Sequence, residues 1–203
     1  NSGSTGADGA LIFREIVNPG RRHHRMVYDA ARQQIVLFGG YSDPSGGSVN
    51  DTWVFDAGGD WRQLTPAQSP SARYAHMMAY DAQRQEVVIF GGILRSTGAA
   101  SNETWVWNGT TWTQKSPVSL PNARYGSAMA YDSVRQQVVL FSGQGGADET
   151  WIWDGTNWNL RTPSARPPGD VGGSMTFDAA RQRILFQHSN NRQTWVWDGN
   201  NWA

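Results

Sequence analysis

The stretch MAYDAQRQEVVIFGG at residues 78–92, followed by TWVWNGTTW at residues 104–112, decides the fold. Its first part holds two runs of β-branched and aromatic residues separated by Asp81 and polar residues, which is typical of two strands joined by a turn. Its second part places two aromatic runs around Asn108-Gly109, a dipeptide that favours tight hairpins because both positions tolerate positive φ. The stretch predicts four successive antiparallel strands, named a to d here.

The same pattern occurs four times along the 203 residues. The aspartates that end strand a are separated by steps of 52, 51 and 46 residues. The shared segments are MVYD at 26–29, MAYD at 78–81, MAYD at 129–132 and MTFD at 175–178. A four-stranded meander that recurs about every 50 residues is the signature of a propeller blade. We therefore predict an all-β fold, a β-propeller with four four-stranded antiparallel blades.

The amino-acid composition argues against nucleic-acid binding, membrane insertion and thiol or metal chemistry. The 17 basic and 17 acidic side chains give a formal net charge of zero, so no positive field favours nucleic acid. The longest apolar runs are too short to insert into a membrane. Cysteine is absent, which excludes disulfides and thiolate ligands, and the four histidines show no metal-ligand spacing. We predict no metal, no cofactor and no catalytic residue.

The repeats resemble the kelch family, and most closely the bacterial kelch and galactose-oxidase-central-domain branch. The resemblance rests on the Arg-x-x-His motif from Arg73 to His76, the Tyr-Asp that ends strand a, the Gly-Gly after strand b, and the spaced pair Trp105 and Trp112. It implies a propeller, and it is specific for fold rather than function. The copper chemistry of galactose oxidase is not implied, since that site needs a cysteine.

The ends of the chain suggest how a ring closes. Residues 1–9 are small and polar, and we expect a flexible leader before one domain at residues 10–203. Residues 11–16 alternate like a strand d, whereas the fourth repeat stops at Trp202 and Ala203. The favoured closure pairs residues 11–16 with the last blade, which removes an exposed sheet edge. Kelch rings usually have six or seven blades, so an eight-bladed ring of two chains and an assembling fragment are alternatives.

Two recurring residue types are interpreted as structural. Tryptophans such as Trp105, Trp107, Trp151 and Trp153 form i, i+2 pairs, which predicts burial between blades rather than stacking on sugars. An arginine follows each Tyr-Asp or Phe-Asp in all four repeats. A catalytic residue would not need to recur in every repeat, so the recurrence favours a structural role. We expect it to pair with the turn aspartate or to lie over an aromatic ring.

The predicted binding face is the one that carries the d–a and b–c connections, because the b–c loops vary between repeats on a rigid scaffold. We call it the mouth face. Its hydrogen-bond donors and aromatic rings suit a polar or anionic ligand. The alternative is that its arginines and histidines form hydrogen bonds to backbone carbonyls of the next blade. The predicted ligand-binding residues are Arg21, Arg22, Tyr41, Arg73, Tyr74, His76, Arg124 and Tyr125.

The functional prediction is a kelch-type binding or interaction module without catalysis of its own. Its expected partner is a protein, or a glycan or other small polar ligand, and its expected location is extracellular or at the cell surface. One alternative is a structural or surface protein that self-assembles by strand exchange or as half of an eight-bladed ring. A further alternative is a lyase or hydrolase that uses the arginine- and tyrosine-lined mouth.

Overall fold

The computed structural model describes residues 20–42, 46–146 and 148–203. Within these residues the chain forms strands and turns only, and the strands follow the predicted repeats. The predicted leader at residues 1–9 and the predicted closing strand at residues 11–16 lie outside the described residues.

Nineteen strands are found in the described residues, grouped by repeat. Blade 1 contains β1 (Arg25–Asp29), β2 (Gln34–Phe38), β3 (Tyr41–Ser42), β4 (Gly47–Ser48), β5 (Thr52–Phe55) and β6 (Trp61–Leu64). Blade 2 contains β7 (Arg73–Tyr74), β8 (Met77–Asp81), β9 (Glu86–Phe90), β10 (Ile93–Leu94), β11 (Thr104–Trp107) and β12 (Trp112–Lys115). Blade 3 contains β13 (Ala128–Asp132), β14 (Gln137–Phe141), β15 (Thr150–Trp153) and β16 (Trp158–Arg161). Blade 4 contains β17 (Ser174–Asp178), β18 (Arg183–Gln187) and β19 (Thr194–Trp197).

Each blade is a meander whose main strands pair in chain order, and the short strands β3, β4, β7 and β10 form separate two-stranded sheets at the mouth. The sheet order is β1-β2-β5-β6 in blade 1, and the other blades follow the same path. In the described residues blade 4 has three strands, and Ala203 exchanges two backbone hydrogen bonds with Val196 on the outer side of β19, at 2.8 and 2.9 Å. The predicted all-β fold with four antiparallel propeller blades is confirmed.

The hydrophobic core lies between blades, because each sheet is covered by its neighbours. Three clusters fill the junctions of blades 1 and 2, 2 and 3, and 3 and 4. Trp107 and Trp153 are 1% and 0% exposed, Trp151 is 8% exposed, and Trp105 is partly buried against the first cluster. These contacts confirm the interpretation of the paired tryptophans as inter-blade core.

The four blades form an arc around a central channel. The innermost strands pack in the order β1, β8, β13 and β17, and within the described ranges no comparable packing joins β17 back to β1. Residues of β1 are more exposed than their equivalents in blade 2, where the preceding blade covers them. Met26 and Tyr28 are more than half exposed, whereas Met78, the equivalent of Met26, is buried. Among the described residues, one face of blade 1 and one face of blade 4 therefore have no neighbouring blade packed on them.

Candidate functional site

The mouth face is built where the segment before each strand a pairs with the b–c loop of the same blade. Arg22 and Tyr41 exchange backbone hydrogen bonds at 3.0 and 2.8 Å in blade 1. In blade 2, β7 pairs with β10, and in blade 3 Tyr125 bridges Gln144. These short pairings place the varied b–c loops beside the starts of the innermost strands, as the sequence predicted.

Three of the predicted mouth arginines are buried and already paired. The side chain of Arg73 has no solvent exposure and donates hydrogen bonds to Glu103 and to the carbonyls of Ser71 and Gly91. The same pattern joins Arg124 to Glu149 in blade 3, at 2.5 Å. The donors of these guanidinium groups are directed into the protein, so the groups hold the b–c loops in place and lie beyond reach of a ligand at the surface.

Arg21 repeats this arrangement in blade 1 by donating to both carboxylate oxygens of Asp51, at 2.6 and 2.8 Å. Burial alone would raise the pKa of Asp51, but hydrogen bonds from Arg21 and Trp53 hold it below its ordinary value. The sequence analysis did not identify these acidic partners. A signal for the pairing was present, since the fourth repeat loses the arginine and the acid together, with Asp170 and Gln193 in their places.

His76 lies at the centre of the buried layer beneath the mouth. It has no solvent exposure, its ring meets Phe38 edge-on at 5.5 Å, and neither ring nitrogen has a hydrogen-bond partner among the described residues. Burial, followed by the positive charges of Arg73 and Arg25, lowers the pKa of His76 well below 6.5. The imidazole is therefore neutral at physiological pH and lies within a positive electrostatic environment.

The exposed part of the mouth is an aromatic and cationic rim. The guanidinium carbon of Arg22 lies 4.8 Å from the centre of the Tyr41 ring, a cation–π contact. Tyr41 meets Tyr74 edge to face at 6.1 Å, with an interplanar angle of 87°, and His23 packs on the other side of Tyr74. Of the predicted ligand-binding residues, the rim holds Arg22, Tyr41, Tyr74 and Tyr125, all at least partly exposed.

A cleft of about 320 Å³ opens among the starts of the innermost strands. We call it the channel cleft, and its walls are Arg25, Met77, Met78, Ser127, Ala128, Met129, Gly172, Gly173, Ser174 and Met175. Sequence reasoning missed Arg25, although the equivalent residues in the other repeats are Met77, Ala128 and Ser174. A single arginine in a column of otherwise uncharged residues was the signal that could have identified it.

Arg25 differs from the buried mouth arginines in its partners. Its only hydrogen bond in the described structure is to the carbonyl of His24, the preceding residue, at 3.2 Å. No carboxylate in the described part of the chain lies within ion-pair distance of it, and burial lowers its pKa. An arginine remains protonated in spite of such a shift, so the channel cleft contains a cation to which the described residues supply no countercharge.

A second cleft of about 440 Å³ lies between blades 3 and 4, beside Asp170 and His188. Asp170 accepts hydrogen bonds from the backbone N–H and the hydroxyl of Ser189, at 2.7 and 2.6 Å, and from the Val171 N–H at 2.8 Å. Burial would raise the pKa of Asp170, but the Ser189 bonds lower it. The carboxylate is satisfied by its own blade and replaces the arginine as the anchor of the loop.

The described ranges contain no group of three metal-ligating side chains. Within 20–42, 46–146 and 148–203, no helix has the length and apolar character needed to span a bilayer.

A family model described as the KLHDC2/KLHL20/DRC7 Kelch-repeats domain matches residues 11–119, more than half of the chain. The chain belongs to the kelch-repeat family. Among solved structures, this kelch chain is similar to one titled "Structure of YjhT", with a TM-score of 0.67 and 14% sequence identity. The match covers 90% of this chain and 70% of the other, and at that identity it shows the shared fold. No curated protein sequence matches the chain.

Proposed function

We propose that this kelch domain is an interaction module that binds an acidic segment of a partner protein at its mouth face. The observation that carries the proposal is the guanidinium of Arg25 in the channel cleft, which has no carboxylate partner among the described residues. A carboxylate that enters the cleft would receive charge-assisted hydrogen bonds from Arg25. Desolvation of both groups in a narrow cleft would strengthen this attraction relative to water.

The surroundings of the cleft favour a negative ligand over a positive one. His76 and His24 both have a lowered pKa, and burial is the largest cause in each case, with nearby arginines adding to it. Among the described acids of this face, Asp51, Glu103 and Glu149 each accept from an arginine. Arg25 is the one charged residue in the described lining of the cleft.

The rim supports a protein ligand more than a glycan. Tyrosine and arginine are the residue types that dominate binding energy in protein interfaces, and Arg22, Tyr41 and Tyr74 form one contiguous group here. The rings of Tyr41 and Tyr74 stand nearly perpendicular, so they present no shared flat platform for a sugar. An extracellular or cell-surface partner is the accompanying expectation, based on the polar loops of the sequence.

The test is fluorescence anisotropy with a labelled poly-glutamate peptide and the full chain. The wild-type chain should bind, and affinity should fall as salt rises from 0.05 to 0.5 M, values of ionic strength chosen to shorten the screening length. Arg25→Met places in blade 1 the residue that blade 2 has at this position, so the substitution suits the local backbone. It should weaken binding at least about tenfold, since a hydrogen bond to a charged group contributes about 1.5–3 kcal/mol.

Arg161→Met is the matched control, because Arg161 is an exposed arginine at the end of β16, in the outermost strand of blade 3. It removes the same charge from the chain without touching the mouth. Equal binding by both variants would contradict the proposal, as would peptide binding that does not depend on salt.

A further inference from the structure

The cleft between blades 3 and 4 is a second recess on the mouth face, separate from the channel cleft. Its volume is about 440 Å³, and its described lining comprises Ser142, Gly143, Gln144, Gly145, Gly169, Asp170, Val171, His188 and Asn190. We call it the blade 3–4 cleft. A volume of this size lies within the range of ligand-binding clefts.

The fourth repeat departs from the others at the positions that build this cleft. Asp170 stands where the first three repeats have an arginine. By strand register, His188 and Ser189 follow Gln187 as Gly39-Gly40 follows the end of strand b in blade 1. Asp170 and His188 are buried, at 6% and 8% exposure. Blade 4 therefore has a buried anion at a mouth position where the other blades have a cation.

The carboxylate of Asp170 has no countercharge among the described residues. Burial would raise its pKa, but hydrogen bonds from Ser189 lower it, so the group is ionised at neutral pH. Its hydrogen-bond donors are a hydroxyl and backbone N–H groups, which are neutral and leave the charge in place. The Nδ1 of His188 lies 3.7 Å from Asp170, but it accepts from the Asn190 N–H at 3.1 Å and therefore carries no proton.

The other polar groups in the lining suit a cationic side chain on a peptide. The side-chain amides of Gln144 and Asn190 are exposed and have no hydrogen-bond partner among the described residues, so their oxygens can accept from an ammonium group. The Nε2–H of His188 likewise has no partner there and can donate to a ligand carbonyl. The described lining contains no lysine or arginine, and the exposed Arg192 lies outside it.

The two clefts of the mouth face share one short segment of the chain. Residues 169–171 line the blade 3–4 cleft, and residues 172–175 line the channel cleft. Val171, which is 44% exposed, is the residue at which the lining changes from one cleft to the other. Three extended residues span about 10 Å, so a ligand that fills both clefts needs binding groups about that far apart.

We propose that the blade 3–4 cleft binds a lysine of the same partner segment whose acidic residue enters the channel cleft. The inference rests on the proposed function, because the acid at Arg25 positions the segment. The lysine lies three positions from the acid, donates to the amides of Gln144 and Asn190, and is attracted by Asp170. A second acid at that position is repelled. Charges about 8 Å apart at an effective dielectric constant of about 40 change affinity by about fivefold.

The experiment measures the fluorescence anisotropy of labelled, end-blocked peptides with the full chain. The peptides are X-Gly-Ser-Glu-Gly-Ser-X, where X is lysine, glutamine or glutamate at both positions, so that X lies three positions from the glutamate in either chain direction. The lysine peptide should bind about fivefold more tightly than the glutamine peptide, and the glutamate peptide about fivefold more weakly. In the rearranged peptides Gly-Ser-X-Glu-X-Ser-Gly, which have the same composition and charge, the lysine preference should fall to about twofold or less.

Three variants assign the preference to the cleft. Asp170→Asn removes the charge but keeps an oxygen that can accept from Ser189, and it should make the three peptides bind within about twofold of one another. Asp198→Asn is the matched control, because Asp198 lies in the c–d turn of the same blade, on the opposite face, and blade 2 has Asn108 there. It should keep the full preference. Gln144→Ala, at an exposed position, should reduce the lysine preference about threefold, which tests the cleft without a change to its buried groups.

The outcomes separate this inference from the proposed function. Equal binding of the three spaced peptides by the wild-type chain overturns the lysine site, and the proposed function stands if Arg25→Met still weakens the glutamine peptide. A lysine preference that is as large with the rearranged peptides, or that Asp170→Asn and Asp198→Asn reduce equally, shows a general charge effect and also overturns the site. Failure of every peptide to bind contradicts both.

Discussion

Acidification should lower the free energy of unfolding of this protein through His76, in a pH range where the acidic side chains contribute little to the pH dependence of stability. The imidazole has no solvent exposure and no hydrogen-bond partner among the described residues. Its pKa is lowered well below 6.5, chiefly by burial and then by Arg73, Arg25 and His24. The unfolded chain takes up a proton below pH 6.5, and the folded chain does not until its own lower pKa is reached. The contribution of His76 to stability is thus complete above pH 6.5 and is lost as pH falls from there.

The size of this loss follows from proton linkage. One proton of difference between the folded and unfolded states changes the free energy of unfolding by about 1.4 kcal/mol per pH unit. At pH 5, 1.5 units below the ordinary histidine value, the loss from His76 alone should be at most about 2 kcal/mol relative to pH 8. His24 acts in the same direction, since burial lowers its pKa as well.

The assay is urea denaturation followed by tryptophan fluorescence, at pH 8 and pH 5, for the wild type and for His76→Ser. Serine is the residue that blade 3 has at this position, as Ser127. The pH 8 to pH 5 loss should be smaller in the variant than in the wild type, by up to about 2 kcal/mol. Equal losses in the wild type and in His76→Ser would refute the assignment of a buried neutral histidine.

Three further substitutions test the junctions and the loops by their effect on the free energy of unfolding. Trp151→Ala should cost about 3–5 kcal/mol, because the indole is 8% exposed in the core between blades 2 and 3; an unchanged melting temperature would contradict the core assignment. Gly155→Ala should cost about 1–3 kcal/mol from the φ of +97° alone, and more because the new Cβ would collide with Arg84. Ala57→Gly, at an exposed position in the equivalent turn of blade 1, is the control and should cost less. Arg124→Gln should cost about 1.5–3 kcal/mol, because Glu149 loses its ion pair and keeps the bond from Trp151; a loss of binding without a loss of stability would show that the arginine faces a ligand after all.

The repeating features of this fold could be predicted from the sequence. Alternation of apolar residues and the turn signals at Asn108-Gly109 and Asp154-Gly155 indicated the strands, and recurrence of Trp105 and Trp151 indicated the inter-blade core. These features are determined by local preference and by burial, and they recur at each blade. The order and approximate limits of the main blade strands follow from such local rules, whereas the four short strands at the mouth, β3, β4, β7 and β10, were not predicted.

The chemistry of the mouth could not be predicted to the same degree. Arg73 and Glu103 are 30 residues apart, and their pairing depends on how the b–c loop folds back, which no local pattern records. The exposure of a side chain also depends on the tertiary structure. Arg22 and Arg73 stand at adjacent positions when the repeats are aligned, but only Arg22 reaches the surface. Arg25 was missed because the prediction relied on residues that recur in the repeats, and an arginine occurs at this position in the first repeat only.

The most direct test of the central claim, that an acidic ligand enters the channel cleft, is a methyl NMR titration. The chain has five methionines, and four of them, Met77, Met78, Met129 and Met175, line the cleft with Arg25. The fifth, Met26, is 54% exposed and lies outside the lining. Addition of poly-glutamate to the ¹³C-methyl-methionine chain should shift the four cleft signals and leave the Met26 signal in place, and Arg25→Met should abolish the shifts. Shifts confined to Met26, or no shift while the peptide is bound, would contradict the account.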